Sequence, residues 1–368
     1  MLADGVPAWL VTCYRDVRQV LTDPRFTRDD LHAVGVDGAN AEVIGNPESI
    51  FNLDGTDHRR LRVTVQRAFT PRAVETWRPW VAETVQHAVD ALVAVGPPAD
   101  LVAGFTRPVP FAVTSRLMGL GSPGGADEAD VHRWTEAFLA AGDRGDGTAA
   151  ELAEFTAFAA DLIARRRRER GEDLVSRLVR TADEDGGIPE AWLVQLVCGL
   201  LASGNDSASG SLGNALVYLL GERRDSWPSL ADPGTVERAT ERLLHFIPLG
   251  DDETTTRRAV EPVELGGRVI PADAVVAVSI NSANRDRAVF PDGLDDDLDA
   301  PLAAPTLAFS AGPHHCLGAW RVRLEMREAL QRLATALPGL RLARPAEPVT
   351  WLLGRTTRSP ERLPVTWA

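Results

Sequence analysis

The sequence contains no lysine: every one of its 39 basic side chains is arginine. That absence excludes a Schiff-base lysine, a phosphate-loop lysine and the strand lysine of a kinase. Cysteine is scarce. Cys13, Cys198 and Cys316 are odd in number and far apart; they do not read as a disulfide framework, and a reducing cytoplasm is the expected setting. Met1 to Trp9 lacks a basic start followed by a long apolar stretch, so no signal peptide is expected. The longest apolar segment, Ala191 to Ala202, contains Gln195 and is too short to span a bilayer, so no membrane partner is expected. No spacer, repeat or low-complexity tract divides the 368 residues, which suits one large domain or two medium ones. A net charge of −13 argues against a protein that coats nucleic acid.

What is present is patterned mostly as helix. Residues 8–12 read as a strand and 16–21 as a short helix. Residues 28–47 have no clear period and read as a loop. Helices are expected over 57–69, 71–95, 110–119, 134–141, 149–170 and 173–183. The run Arg165-Arg166-Arg167-Arg168 reads as a solvated face. Residues 190–220 form a proline-free helix of about 46 Å with apolar ends and a small, polar middle, Ser203-Gly204-Asn205-Asp206-Ser207. A further helix covers 235–246. The period then changes to two, and Val263–Leu265, Arg268–Ile270 and Ala274–Val278 read as a small meander. A last helix spans 319–337, and short strands follow from Leu340. The fold class is therefore mostly α with a minor antiparallel β-sheet.

The chemistry concentrates in Phe309-Ser310-Ala311-Gly312-Pro313-His314-His315-Cys316-Leu317-Gly318, directly before a helix. A lone cysteine at a helix start has its thiolate favoured by unpaired N–H groups and the positive end of the dipole. Gly312 and Gly318 let the backbone fold tightly around a bulky planar group, and Phe309 covers the sulfur. A shielded thiolate in a fixed loop suits an axial haem ligand. A zinc site from His314, His315 and Cys316 is the weaker alternative, because adjacent ligands rarely converge on one tetrahedral ion.

With every fixed position of F-x-x-G-x-x-x-C-x-G matched, the stretch resembles the cysteine loop of the cytochrome P450 family, and the resemblance runs along nearly the whole chain. It implies the cytochrome P450 fold as a single catalytic domain over residues 1–368, here starting without the family's usual N-terminal helix and first strand. It implies haem b, with Cys316 on the iron. His58 and Arg62, four apart on one helix face, match the pair that holds the haem propionates; Arg257 and His314 match two further propionate partners. Phe309, Gly312 and Gly318 complete the loop, and Gly204 lets the long helix lie close to the cofactor. Ser203 to Ser207 resembles the oxygen-activation motif A-G-x-[DE]-T, which gives Asp206 and Ser207 proton delivery. Ser207 stands where the family usually has threonine. Ala283-Asn284-Arg285-Asp286 and Phe290-Pro291-Asp292 match a segment near the proximal side.

One corner departs from the family. Its E-x-x-R pair falls on Arg242 and His245, and its third charge falls near Asp295; a reversed Arg242–Asp295 pair is the expectation. Gly119-Leu120-Gly121-Ser122-Pro123-Gly124 fits a dinucleotide fingerprint but follows a helical pattern, so no flavin or nicotinamide site is expected. Electrons then come from a ferredoxin and ferredoxin reductase, with Arg59, Arg60, Arg67 and Arg72 as a docking face or simply a solvated one. Substrate contacts are expected from residues 28–47, 134–147, 201–206, 247–253 and 351–355, with Ala202, Leu249, Gly250 and Leu352 as named candidates. The acids Asp251, Asp252 and Glu253 favour a polar substrate if they face it. The expected activity is a cytoplasmic haem-thiolate monooxygenase oxidising a small organic substrate with dioxygen, in natural-product biosynthesis by analogy. Oxidative coupling, a catalytically silent haem protein and a haem-free hydrolase built on Ser207 and Asp206 are the rivals.

Overall fold

The computed structural model describes residues 5–29, 31, 46–121, 126–139, 146–169, 171–185, 188–250, 255–291, 297–353 and 357–368. Ala8–Val11 forms β1, Tyr14–Thr22 forms α1 and Phe26–Thr27 forms β2. Then come α2 (Gly55–Gln66), α3 (Pro71–Glu75), α4 (Arg78–Val95) and β3 (Ala99–Asp100). The helical body continues with α5 (Pro108–Met118), α6 (Glu128–Phe138), α7 (Asp146–Arg168), α8 (Leu174–Asp185), α9 (Glu190–Gly221) and α10 (Pro233–Phe246). Strands β4 (Arg257–Ala259), β5 (Val263–Leu265), β6 (Arg268–Ile270) and β7 (Val275–Val278) lead to the short α11 (Ile280–Ala283). The long α12 (Ala319–Ala336) and strands β8 (Arg341–Leu342) and β9 (Pro364–Thr366) finish the chain.

Local chemistry explains most boundaries. The helix expected over 71–95 is two, because Pro79 lies in the first turn of α4 and cannot donate to a preceding carbonyl. Helix α6 starts at Glu128, six residues before its expected start, because the Asp127 side chain accepts from the Asp130 N–H and caps it. Gly119 ends α5 in the left-handed conformation, with its N–H on the Ser115 carbonyl. That is a helix stop, not a phosphate loop. The arginine run is only partly a solvated face. Arg166 is buried, pairs with Asp173 at 2.9 Å and donates to the Gly119 carbonyl, so one of the four charges ties α7 to the end of α5.

Helix α9 runs unbroken through the centre and is buried on most sides, as its all-round apolar ends require. One core joins α4, α9, α10 and α12 through residues such as Val85, Leu216 and Leu330; a second joins α7, α8 and α9 through Phe155, Leu178 and Leu196. Each such side chain contributes roughly 1.5–3 kcal/mol of burial. Among the described residues no helix is long and apolar enough to cross a membrane.

The expected meander is divided between two sheets. Strands β5 and β6 form a hairpin closed at Gly266-Gly267, both at positive φ. Strand β7 leaves them and pairs in parallel with β1, with Ala8 opposite Val275, and antiparallel with β4. All four β7 residues are buried, which suits a central strand and not a hairpin edge. The sheet is therefore mixed, in order β1-β7-β4-β2.

Candidate active site

Most of the residues singled out by sequence, though not Asp206, Gly312, Ala202 or Leu352, converge on one cavity of about 450 Å³ between α9 and the loop before α12. His58 and Arg62 reach it from α2, Arg257 from β4, Ser203, Gly204 and Ser207 from α9, and Phe309, His314, Cys316 and Gly318 from the loop.

The loop is held by its backbone. The Cys316 N–H donates to the Phe309 carbonyl at 2.9 Å, and the His315 N–H to Gly312 at 3.1 Å. Gly312 has φ +69°, and a Cβ there would run into the Leu21 carbonyl oxygen, with Thr22 Cα at 3.1 Å. Only glycine serves, because the loop seats directly on the end of α1. Gly318 has an ordinary φ of −79°, and a Cβ there would meet only the Cys316 sulfur at 3.9 Å. Phe309 lies under the Arg323 guanidinium, 4.5 Å from its ring centre, and Arg323 pairs with Glu241 of α10 at 2.8 Å. Cys316 is exposed and lines the cavity, with protein packed around its sulfur. Burial pushes the thiol up; the N–H of Gly318, then Arg62, Arg323 and the N–H of Ala319, pull the other way.

Around the sulfur stands a set of cations. Arg62 donates to the His315 carbonyl. The His58 and His314 rings lie 4.3 Å apart, and His314 Nε2 is 2.8 Å from Asp54 Oδ1. Asp54 also accepts from the Thr27 hydroxyl at 2.7 Å and the Arg28 N–H. These donors outweigh burial and hold its carboxyl well below the usual range. Burial, then the neighbouring His314 and Arg62, lowers His58 to about 4, and its Nε2 is buried without a partner among the described residues. Arg257 is buried and lowered to about 9, first by burial and then by Arg28.

Arg28, expected only as the edge of the substrate loop 28–47, was not singled out among the propionate cations. It is buried, lines the same cavity and is lowered to about 10 by burial. As one arginine among 39 in a stretch read as a loop, it carried no signal. Arg321 was missed as well, being one of several arginines on the helix expected over 319–337. It is buried on α12, pairs with Glu325 and donates to Thr114 Oγ1 at 2.6 Å and to the Gly204 carbonyl at 3.1 Å. A Cβ on Gly204 would meet Arg321 Nη1 at 2.6 Å, so the missing side chain makes room for this guanidinium.

On α9 the polar middle lies inside a continuous helix. Ser207 Oγ donates to the Ser203 carbonyl at 2.5 Å, and Ser203 donates to the Gly199 carbonyl. Ser207 lines the main cavity, whereas Asp206 lines a second cavity on the far flank. Asp206 accepts from the Thr357 hydroxyl, and burial pushes its pKa up.

The named substrate candidates separate. Leu249 and Gly250 line the main cavity. Ala202 does not; it is fully buried in the α7–α9 core, because a turn of about 100° per residue carries it away from the face of Ser203 and Ser207. Leu352 lines the second cavity instead. Residues 30, 32–45, 140–145, 251–254 and 354–356 lie outside the described residues, and with them most of the expected substrate loop and the acids Asp251, Asp252 and Glu253. The expected Arg242–Asp295 pair lies outside as well, because residues 292–296 are not described. What is described of that corner is stitched by the matched segment. Asn284 Nδ2 donates to the His245 carbonyl at 3.1 Å while its Oδ1 accepts from the Leu307 N–H at 2.9 Å, and Arg285 donates to the Phe246 carbonyl at 2.6 Å. His245 is buried against Phe290, neither ring nitrogen has a partner among the described residues, and burial followed by Arg242 lowers it to about 4.

The Arg62 and Arg257 guanidiniums line the cavity beside the thiol, while burial lowers the His58 and His314 imidazoles toward their neutral forms and Asp54 is bonded to His314 and the Arg28 N–H, which leaves a surplus of positive charge from the guanidiniums. Such a surplus calls for an anionic occupant. The donor set fits haem: a sulfur for the iron, and cations with an unpartnered His58 nitrogen for two carboxylates. The comparisons agree. The cytochrome P450 family profile matches residues 242–334. Over 365 residues the chain is 40% identical to the mycinamicin IV hydroxylase/epoxidase of Micromonospora griseorubida, covering 99% of this chain and 90% of that protein. It is 41% identical over 373 residues to the nocardicin C N-oxygenase of Nocardia uniformis subsp. tsuyamanensis, again with 99% and 90% covered. A cytochrome P450mel structure with biaryl coupling reactivity superposes with TM-score 0.89 at 37% identity, over 98% of this chain and 90% of that one. Likeness of that order along nearly the whole length means that the chain belongs to the cytochrome P450 family.

Proposed function

We propose that this cytochrome P450 binds haem b through Cys316 and oxidises a small organic substrate of a bacterial natural-product pathway in the cytoplasm, using dioxygen and two electrons from a ferredoxin and its reductase. The observation that carries the reading is the Cys316 sulfur set in a cavity walled by Arg62, Arg257, His58 and His314. Those four residues would hold the propionates, with Arg28 beside them. When bound, haem supplies dioxygen activation and transfer of one oxygen atom.

The chain's own groups do the rest. The N–H groups of Gly318 and Ala319, with Arg62 and Arg323, favour the thiolate against its burial. The Ser207 hydroxyl is fixed on the Ser203 carbonyl, so its oxygen is free to accept from water in the cavity. Asp206, kept closer to its neutral form by burial, is suited to give a proton. Leu196, Leu200, Phe51 and Leu249 line the cavity and give an organic substrate an apolar wall. Arg59, Arg60, Arg67 and Arg72 are exposed around α2 and form the face offered to an acidic ferredoxin.

The test is the absorption spectrum of the reduced, carbon-monoxide-bound protein. Thiolate ligation places the main band far to the red of an imidazole-ligated haem, and Cys316→Ser removes that band. A wild-type protein that takes up no haem refutes the reading. A haem-loaded protein that consumes no reduced nicotinamide with its redox partners and substrate candidates supplied is a silent haem protein. Oxidative coupling is the second reading, supported by the likeness to a P450 with biaryl coupling reactivity; product analysis separates coupled dimers from hydroxylated monomers.

A further inference from the structure

The neighbours Asp206 and Ser207 open into different cavities. Ser207 shares the Cys316 cavity with Ser203, Ser211 and Thr357. Asp206 lines a second cavity of about 330 Å³ together with Arg107, His132, Asn205 and Ser209. The rotation of α9 by about 100° between consecutive residues sends the two side chains to different flanks. The carboxyl therefore does not face the chamber where protons are consumed.

One contact joins the two spaces. The Thr357 hydroxyl donates to Asp206 Oδ2, and Thr357 itself lines the main cavity. It is placed there by backbone pairing with Gly250, next to the Arg358 N–H on the Leu249 carbonyl. On the outer side, His132 of α6 meets the Arg107 guanidinium and lies 3.3 Å from Glu136, with about a third of its side chain in solvent. Glu128 also lines that cavity. Much of its wall is apolar, but its volume and the polar groups of Arg107, His132, Asn205 and Ser209 give room and partners for water beside Asp206.

We propose that Thr357 is the relay hydroxyl that passes protons from Asp206 into the Cys316 cavity, and that the second cavity, with His132 at its mouth, is their port from solvent. With Asp206 protonated the bond reverses, so that the carboxylic acid O–H donates to Thr357 Oγ1 and the Thr357 hydroxyl turns to a water in the main cavity; in one transfer the acid gives its proton to Oγ1 while the Thr357 O–H proton leaves for that water. Asp206 is left as carboxylate. A water of the second cavity, resupplied through His132, returns the proton. One proton moves, and no electron does. The charged and titratable groups facing Asp206 across that cavity are Arg107, His132 and Glu128, with Glu136 behind His132.

The inference rests on the haem-thiolate reading, and the experiment keeps the two apart by measuring the haem-loaded, full-length protein and its variants Thr357→Val, Thr357→Ser and Asp206→Asn. Loss of the reduced carbon-monoxide band in the wild type sinks the haem reading and leaves the relay without a function. With that band intact in all four proteins, the relay is read in two independent ways. In the first, infrared titration of the carboxyl band that Asp206→Asn removes shows a higher pKa in Thr357→Val than in wild type or Thr357→Ser, and nuclear magnetic resonance shows the His132 pKa falling in Asp206→Asn. In the second, the share of reducing equivalents that reaches product drops about tenfold in Thr357→Val and returns in Thr357→Ser. That is less than the 10²–10⁴-fold effect, roughly, of a directly acting acid, because water partly replaces a relay hydroxyl. Unchanged carboxyl and His132 titrations, or equal coupling in Thr357→Val and wild type, overturn the proposal.

Discussion

Replacing Gly312 with alanine separates what the polypeptide needs from what the cofactor needs. Gly312 has φ +69°, where a non-glycine residue is disfavoured by roughly 1–2 kcal/mol. Its Cβ would collide with the Leu21 carbonyl oxygen and approach Leu21 C at 3.2 Å and Thr22 Cα at 3.1 Å, all backbone atoms that cannot rotate away. Overpacking of that kind costs roughly 1–3 kcal/mol, so Gly312→Ala is expected to lose about 2–5 kcal/mol. Gly318→Ala is the matched control. Its Cβ meets only the Cys316 sulfur at an ordinary 3.9 Å from an ordinary φ, and the loss expected for the chain alone is within about 1 kcal/mol. Urea unfolding followed by far-ultraviolet circular dichroism, on haem-depleted and haem-loaded protein, reads both. Gly312→Ala should be destabilised in both forms, and Gly318→Ala only in the loaded form, if a planar group occupies the space beside it. Equal unfolding midpoints for the two haem-depleted variants would show that the contact with α1 does not fix this loop.

Three further outcomes are expected. Arg321→Leu leaves Glu325 buried without its partner and should cost about 3–5 kcal/mol in urea unfolding; the double variant Arg321→Leu, Glu325→Leu should recover most of that, and a double variant as unstable as the single one refutes the pairing. His245, lowered to about 4, binds fewer protons folded than unfolded, so its stability is present above pH 6.5 and is lost as pH falls toward 4, by up to about 3 kcal/mol. His245→Phe should flatten that part of the stability–pH curve, and a variant curve parallel to wild type between pH 4 and 7 counts against it. Asp206 has a raised pKa, so its contribution is favourable below its ordinary pKa and is lost as pH rises through the raised value. Asp206→Asn should therefore gain stability relative to wild type as pH rises above the ordinary aspartate pKa, and no gain in paired urea titrations would contradict the burial argument.

The helices and the Cys316 loop were legible because their signals are local: apolar period, proline positions and a ten-residue motif. The cap at Asp127 was equally local, an aspartate three residues before another, and was overlooked. The partners of β7 were not legible, because alternation marks a strand without naming its neighbour; pairing with Ala8–Val11 depends on long-range burial. Arg28, Arg321 and Thr357 reach their sites through tertiary contacts between distant segments, and nothing adjacent to them in sequence reports it. The separation of Asp206 from Ser207 was within reach of helical geometry, but the second cavity needs α6 and the Thr357 turn to be placed first.

The union of β1 with β7 bears on how the chain is made. The Tyr14 N–H donates to Asp286, 272 positions further on, and Ala8 to Val11 finds its hydrogen-bonding neighbour only when Val275 to Val278 arrives. At a synthesis rate of 5–20 residues per second, the leading strand waits roughly 15–50 s with its ladder edge bare. The opening residues of the chain are thus a nascent-chain liability, a natural place for a chaperone to hold until the far end of the sheet emerges.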